Sequence, residues 1–164
     1  KIPRIAVINA RGANTLYQLF NGIFDEEKLR WNDGAPNFEL IEKFYNEMNV
    51  NEDLKPKTKA TAIQIGKPSN IAKGLRALDF TDGIVEEVTD KEMLDGMSVV
   101  GLNGFDCEMA SGASVAGIKK LRDKEIIKKD DKVVGILTGR QKEPLLPIDY
   151  HNNPENRFAR PPKI

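Results

Sequence analysis

The chain has 164 residues, 40% of them hydrophobic, which is the size of one domain with apolar mass for an ordinary core. Its 25 basic and 25 acidic residues cancel, so no global field favours nucleic acid or an anionic membrane surface. The apolar stretches are strand-sized and the start Lys1-Ile2-Pro3-Arg4 lacks the apolar core of a signal peptide, so a soluble, cytoplasmic protein is expected. One cysteine, Cys107, excludes an internal disulfide, and with one histidine, His151, it argues against a Cys/His zinc site. The chain begins with Lys, almost directly on a strand-like run, as expected of a piece of a larger polypeptide.

Arg4 to Ile8 is apolar on both faces, the pattern of a buried parallel strand, and Asn9-Ala10-Arg11-Gly12 breaks it before a short helix at about Thr15 to Phe20. Asn21 to Pro36 reads as a loop carrying Trp31. Phe38, Ile41, Phe44, Tyr45 and Met48 then share one face of a second helix. Asn49 to Lys59 is polar and reads as a surface connection, followed by a short apolar segment, Ala60 to Ile65, stopped by Gly66-Lys67-Pro68. Ser69 or Asn70 caps a helix with Ile71, Leu75 and Leu78 inward. Ile84 to Val88 is a strand, and Thr89 opens a helix with Glu92 placed for a capping box.

Gly101 to Cys107 leads into a helix from Ala110 to Lys124, whose Ala, Gly and Ser content suits close packing on a sheet. Asp130-Asp131 mark a turn, and Lys132 to Thr138 is the most strand-like run in the chain. This alternation predicts an α/β fold, a mostly parallel sheet with helices on both faces joined by right-handed crossovers, over residues 1–141. Residues 142–164, with Pro147, Pro154, Pro161 and Pro162, read as an extended tail wrapping a larger body.

In an open parallel sheet the ligand crevice lies at the carboxyl ends of the strands, which singles out three segments. Thr138-Gly139 offers a hydroxyl at a strand end, with glycine admitting a flat group to the backbone. The bland alternative is a threonine that satisfies a neighbouring backbone group. Cys107 to Ser114 places Glu108 and two hydroxyls, Ser111 and Ser114, at a helix start. Glu108 and Ser111 then line a ligand pocket, or else form an ordinary N-terminal cap. Thr61 to Pro68 is a rigid elbow or an ordinary tight connection.

Other chemistry is poorly supported. His151 has no Ser or Cys partner at a recognisable spacing, Cys107 lacks a neighbouring cation and reads as a buried thiol, and the Gly-rich phosphate motifs are absent. The clusters Lys55 to Lys59 and Lys128-Lys129 read as solvated faces.

In order and spacing, Thr61-Ala62-Ile63-Gln64-Ile65-Gly66-x-Pro68, Cys107-Glu108-x-Ala110-Ser111-x-Ala113-Ser114 and Gly135-Ile136-Leu137-Thr138-Gly139 together resemble the threonine synthase family. Pro3 to Ala10, Leu75-Arg76-Ala77-Leu78 and the tail from Tyr150-His151 to Pro161-Pro162 resemble it too. The resemblance implies a pyridoxal phosphate (PLP) enzyme of fold type II that converts O-phosphohomoserine and water to threonine and phosphate. It also implies that this chain is the carboxy-terminal portion. The Schiff-base lysine and the phosphate loop belong to the amino-terminal half, no residue here matches them, and the chain alone is expected to be inactive. The resemblance assigns Thr138 to the ring nitrogen of the cofactor, with Gly139 beside it, Glu108 near the ring, and Ile65-Gly66 alongside.

The chain departs from the family pattern at Lys67, Met109, Arg140 and Glu143, where asparagine, proline, histidine and aspartate are usual. The expected partners are the amino-terminal half and the small-molecule substrate, with no nucleic acid and no membrane. Loss of that half is expected to expose apolar surface and favour self-association. A threonine dehydratase fragment and a noncatalytic or degenerate binding module are the alternative readings.

Overall fold

The apolar runs read from the sequence organise two units in the computed structural model, which describes residues 2–22, 31–32, 35–48 and 55–140. The described residues of Lys1–Thr58 and Ile63–Glu87 form one compact unit, and those of Lys59–Ala62 and Val88–Ile164 form a second.

The first unit runs through strand β1 (Ala6–Ala10), helix α1 (Thr15–Asn21), the two-residue strands β2 (Trp31–Asn32) and β3 (Ala35–Pro36), helices α2 (Phe38–Glu47) and α3 (Ile71–Phe80), and strand β4 (Ile84–Val88). β1 and β4 are hydrogen-bonded neighbours. Arg4 bonds Asp82 at the entry to both strands, and Arg11 meets Glu87 at 2.8 Å at the exit from both, so the pair runs parallel. The chain between them passes through helices, as a parallel connection requires. Asn14 Nδ2 also donates to Glu87 at 2.6 Å, tying the turn after β1 to the end of β4.

Leu19 and Phe20 of α1, Leu40, Ile41 and Phe44 of α2, Ile71, Leu75 and Leu78 of α3, and Val85 of β4 form one buried cluster. The three apolar positions expected on α3 all point into it. On α2 the apolar stripe is centred on Leu40, Ile41 and Phe44, and Phe38 in the first turn is 59% exposed. Asn37 caps α2 by accepting the Leu40 N–H at 3.2 Å.

The stretch expected as a loop around Trp31 contains a minimal antiparallel ladder, with Trp31 opposite Pro36 and Asn32 opposite Ala35.

The second unit holds α4 (Asp90–Leu102) and α5 (Met109–Asp123). α4 begins with the expected capping box: the Thr89 hydroxyl accepts the Glu92 N–H, and the Glu92 carboxylate accepts the Thr89 N–H at 2.6 Å. The small residues of α5, expected to lie against a sheet, instead bring it against α4. A Cβ on Gly96 would stand 2.4 Å from the Gly112 carbonyl oxygen, and one on Gly112 would stand 2.3 Å from the Met93 carbonyl oxygen. The two backbones therefore touch where neither residue has a side chain. Met97, Val100 and Cys107 form a buried cluster beside this crossing.

Helices α3, α4 and α5 end alike, with a residue at positive φ (Asp82 at 47°, Gly104 at 81°, Glu125 at 56°). The following N–H in each case returns to a carbonyl five residues back: Gly83 to Leu78, Phe105 to Val100, and Ile126 to Leu121. Left-handed closure of this kind satisfies carbonyls that the helix end would otherwise orphan.

Lys132 to Thr138, the most strand-like run in sequence, has no assigned secondary structure and belongs to no sheet among the described residues. Val134 is 87% exposed and Ile136 68%. A β-strand is defined by its neighbour, and among the described residues none pairs with this one. Residues 142–164, expected as a tail, lie outside the described residues. No helix among the described residues is long and apolar enough to cross a membrane, and no group of three His, Cys, Asp or Glu among them could hold a metal ion.

Gly112→Ala is expected to force α4 and α5 apart and to cost about 2 kcal/mol by overpacking, read as a lower denaturant midpoint for the whole chain. Glu125 is exposed, so Glu125→Gly relieves its left-handed strain and removes a negative charge from the negative end of α5. It is expected to raise stability by about 0.5–1 kcal/mol in the same measurement.

Candidate functional site

The start of α5 and the end of the run from Lys132 to Thr138 meet in one polar cluster. Glu108 occupies the N-cap position with extended backbone, yet its side chain makes no capping hydrogen bond. Its backbone N–H donates to the Gly139 carbonyl at 2.9 Å, and its Oε1 lies 3.5 Å from the Thr138 hydroxyl that donates to it. A Cβ at position 139 would stand 2.3 Å from that same Oε1, so only glycine lets the carboxylate lie against this backbone. The simple capping explanation of Glu108 therefore does not describe its side chain, which faces the 138–139 backbone instead.

Ser111, one turn further along α5, is 2% exposed. Its Oγ accepts the Thr138 N–H at 2.9 Å and the Gly139 N–H at 3.3 Å, and stands 3.3 Å from the Thr138 hydroxyl oxygen. Ser114 Oγ donates to the Ile136 carbonyl at 3.0 Å. Hydroxyls three residues apart share a helix face, so the spacing 111, 114 lays residues 136–139 along α5. Thr138 itself is exposed, with its hydroxyl oxygen at the open edge of the cluster.

Two of the four departures noted in sequence, Met109 and Arg140, adjoin this cluster, and Glu143 lies outside the described residues. Met109 takes the first position of α5, where a proline is also accommodated because that N–H has no helical partner, and its side chain packs on the cluster of Met97, Val100 and Cys107. Arg140 lies 3.6 Å from Asp106, an exposed pair of small energetic weight. Cys107 is buried, and burial first, then Asp106 and Glu108, push its thiol up to about 11. It is a protonated packing residue at neutral pH, as the absence of a nearby cation led one to expect.

Of the five expected site residues, Glu108, Thr138 and Gly139 are brought together in the second unit. Ile65 and Gly66 lie in the first. There Ile65 is 51% exposed, and the Gly66 carbonyl accepts a 2.5 Å hydrogen bond from the hydroxyl of buried Thr15. Lys67, which replaces a usual asparagine, places Nζ 4.9 Å from the centre of the Tyr45 ring, a cation–π contact. Burial raises the Tyr45 phenol. A groove of about 500 Å³ between α4 and α5, lined by Gly96, Val99, Val115, Ala116 and Ile118 among others, includes none of the five.

The residue that sequence reasoning undervalued is Ser111. It was grouped with Glu108 as a pocket wall or a cap, whereas it is the acceptor on which the 138–139 turn hangs. The paired hydroxyls at 111 and 114 were the available signal. Chemically, the cluster offers an exposed hydroxyl beside a glycine, which suits the nitrogen edge of a flat heteroaromatic ring. Glu108, Ser111, Thr138 and Gly139 include no amine for a Schiff base and no cation for a phosphate, so they fit that edge of PLP alone.

The chain is 42% identical over 107 residues to the threonine synthase of Methanosarcina acetivorans, covering 64% of this chain and 26% of that protein. It is 42% identical over 85 residues to the threonine synthase of Methanocaldococcus jannaschii, covering 51% of this chain and 21% of that one. Similarity to threonine synthase 2, chloroplastic, of Arabidopsis thaliana extends over 99% of this chain at 29% identity and takes in 28% of the plant protein. The chain thus spans between 21% and 28% of the length of these relatives. The family model described as pyridoxal-phosphate dependent enzyme matches residues 2–139, from the first strand through Glu108 and Ser111 to Gly139, and this α/β chain belongs to that family.

Proposed function

We propose that this chain is the carboxy-terminal portion of a threonine synthase, a lyase that converts O-phosphohomoserine and water to threonine and phosphate, and that it is inactive without the amino-terminal half. The observation that carries the reading is the exposed Thr138 hydroxyl, backed by Ser111 and flanked by Gly139, in a chain similar to threonine synthases over most of its length. When bound, PLP supplies the electron sink for the carbanion chemistry.

This chain's part in the reaction is to orient. Thr138 donates a neutral hydroxyl hydrogen bond to the ring nitrogen, which leaves that nitrogen largely unprotonated and moderates the sink. Gly139 would leave space for the ring edge, Glu108 would place a carboxylate near the ring, and Ile65-Gly66 would border the cofactor. Lysine and phosphate loop come from the amino-terminal half, in keeping with the fraction of the relatives' length that this chain spans. The run from Val133 to Leu137 takes its place as a strand when that half is present, which accounts for exposed apolar side chains with no neighbouring strand among the described residues.

Two outcomes test this. Mixed with its amino-terminal half, the chain is expected to develop the visible absorbance of bound PLP and to release phosphate from O-phosphohomoserine, with neither seen for the chain alone. Thr138→Ala is expected to lower kcat/KM of the reconstituted enzyme roughly 30-fold, about 2 kcal/mol, and Thr138→Ser to restore most of it. A borohydride-trapped cofactor adduct on this chain alone would overturn the assignment of the lysine to the other half. Separately, the isolated chain is expected to self-associate in sedimentation velocity, and Val134→Asp with Ile136→Asp to return it to monomer. A monomer that withstands concentration in the unsubstituted chain would contradict the exposed-strand account.

A further inference from the structure

We propose that Ser111 is a positioning residue that pins the Thr138-Gly139 turn and so sets where the Thr138 hydroxyl is presented to its ligand. This rests on the reading of Thr138 given above and adds the group that sets its direction.

The argument is one of donor and acceptor accounting. A serine hydroxyl has one proton to give and two lone pairs to accept with. Both lone pairs of Ser111 Oγ are used, by the N–H of Thr138 at 2.9 Å and that of Gly139 at 3.3 Å. Neither amide can reverse its role. The serine proton is therefore left to point at the Thr138 hydroxyl oxygen, 3.3 Å away. At 2% exposure Ser111 has no solvent to turn to, and a buried hydroxyl without a partner is costly.

Thr138 Oγ1, already accepting from Ser111, has its own proton directed elsewhere. Within the chain that proton reaches Glu108 Oε1 at 3.5 Å, the far limit of a useful hydrogen bond. An aromatic nitrogen with a free lone pair in the open space beside Thr138 offers a better acceptor. One lone pair of Thr138 Oγ1 stays free, so Ser111 sets the position of this hydroxyl rather than the protonation state of its ligand. Ser111 touches neither ligand nor reacting atoms; it acts through Thr138.

Two readouts test the proposal independently of turnover. In the intact 164-residue chain, Ser111→Ala is expected to speed hydrogen exchange of the Thr138 and Gly139 amides by about tenfold or more, while Ser111→Thr, which keeps the hydroxyl, preserves their protection. In the reconstituted enzyme loaded with PLP labelled with nitrogen-15 in the ring, Ser111→Ala is expected to move the ring-nitrogen resonance away from its unprotonated, hydrogen-bonded position. Thr138→Val leaves Ser111 in place, so it is expected to keep both amides protected while shifting the same resonance.

Unchanged exchange in Ser111→Ala, or exchange lost equally in Thr138→Val, would overturn the clamp. Exchange that rises without any change at the ring nitrogen would overturn the directing role. If the reconstituted protein binds no PLP, the proposed function fails, and the amide exchange still decides whether Ser111 holds the turn.

Discussion

The contact between α4 and α5 at Gly96 and Gly112 is the constraint from which the site follows. Two helices whose backbones approach this closely have almost no freedom to slide, because carbonyl oxygens stand where side chains would otherwise keep them apart. That crossing holds the first turn of α5. The same turn carries Glu108 and Ser111, and these two residues hold Thr138 and Gly139 through backbone N–H and carbonyl groups. Packing between two apolar helix faces thus becomes the position of one exposed hydroxyl.

The segment from Lys132 to Gly139 is fixed at one end and belongs to no sheet among the described residues. Its carboxyl end is anchored by Ser111 and Ser114, so its direction along α5 is set within this chain. Its apolar side chains face outward with no described partner. Such an edge is a hazard in a finished protein and a joining surface in an unfinished one. The small share of the relatives' length that this chain spans agrees with the second description.

The candidate site residues fall in both units, Ile65 and Gly66 in the first and Glu108, Thr138 and Gly139 in the second. Within the first, Gly66 is fixed by Thr15 and its neighbour Lys67 lies over Tyr45. Within the second, the exposed Arg140–Asp106 pair and the position of Met109 explain two departures from the family pattern without altering the Ser111 and Thr138 arrangement.

Much of the fold was legible in the sequence because local physics specifies it. Apolar spacing determined the inward face of α3, the Thr89 and Glu92 pair determined where α4 starts, and the apolar run at Ile84 determined β4. Of the five residues that the family resemblance assigned to a site, the structure brings Thr138, Gly139 and Glu108 together, while Ile65 and Gly66 lie in the first unit. Three things depended on tertiary structure. Small residues on α5 permitted close approach to any surface, and only the matching Gly96 made α4 that surface. A strand-like pattern states that Lys132 to Thr138 prefers extended backbone, but pairing requires a neighbour that pattern cannot supply. The role of Ser111 arose because its hydroxyl and two amides distant in sequence converge, and the paired hydroxyls at 111 and 114 do not by themselves name those partners.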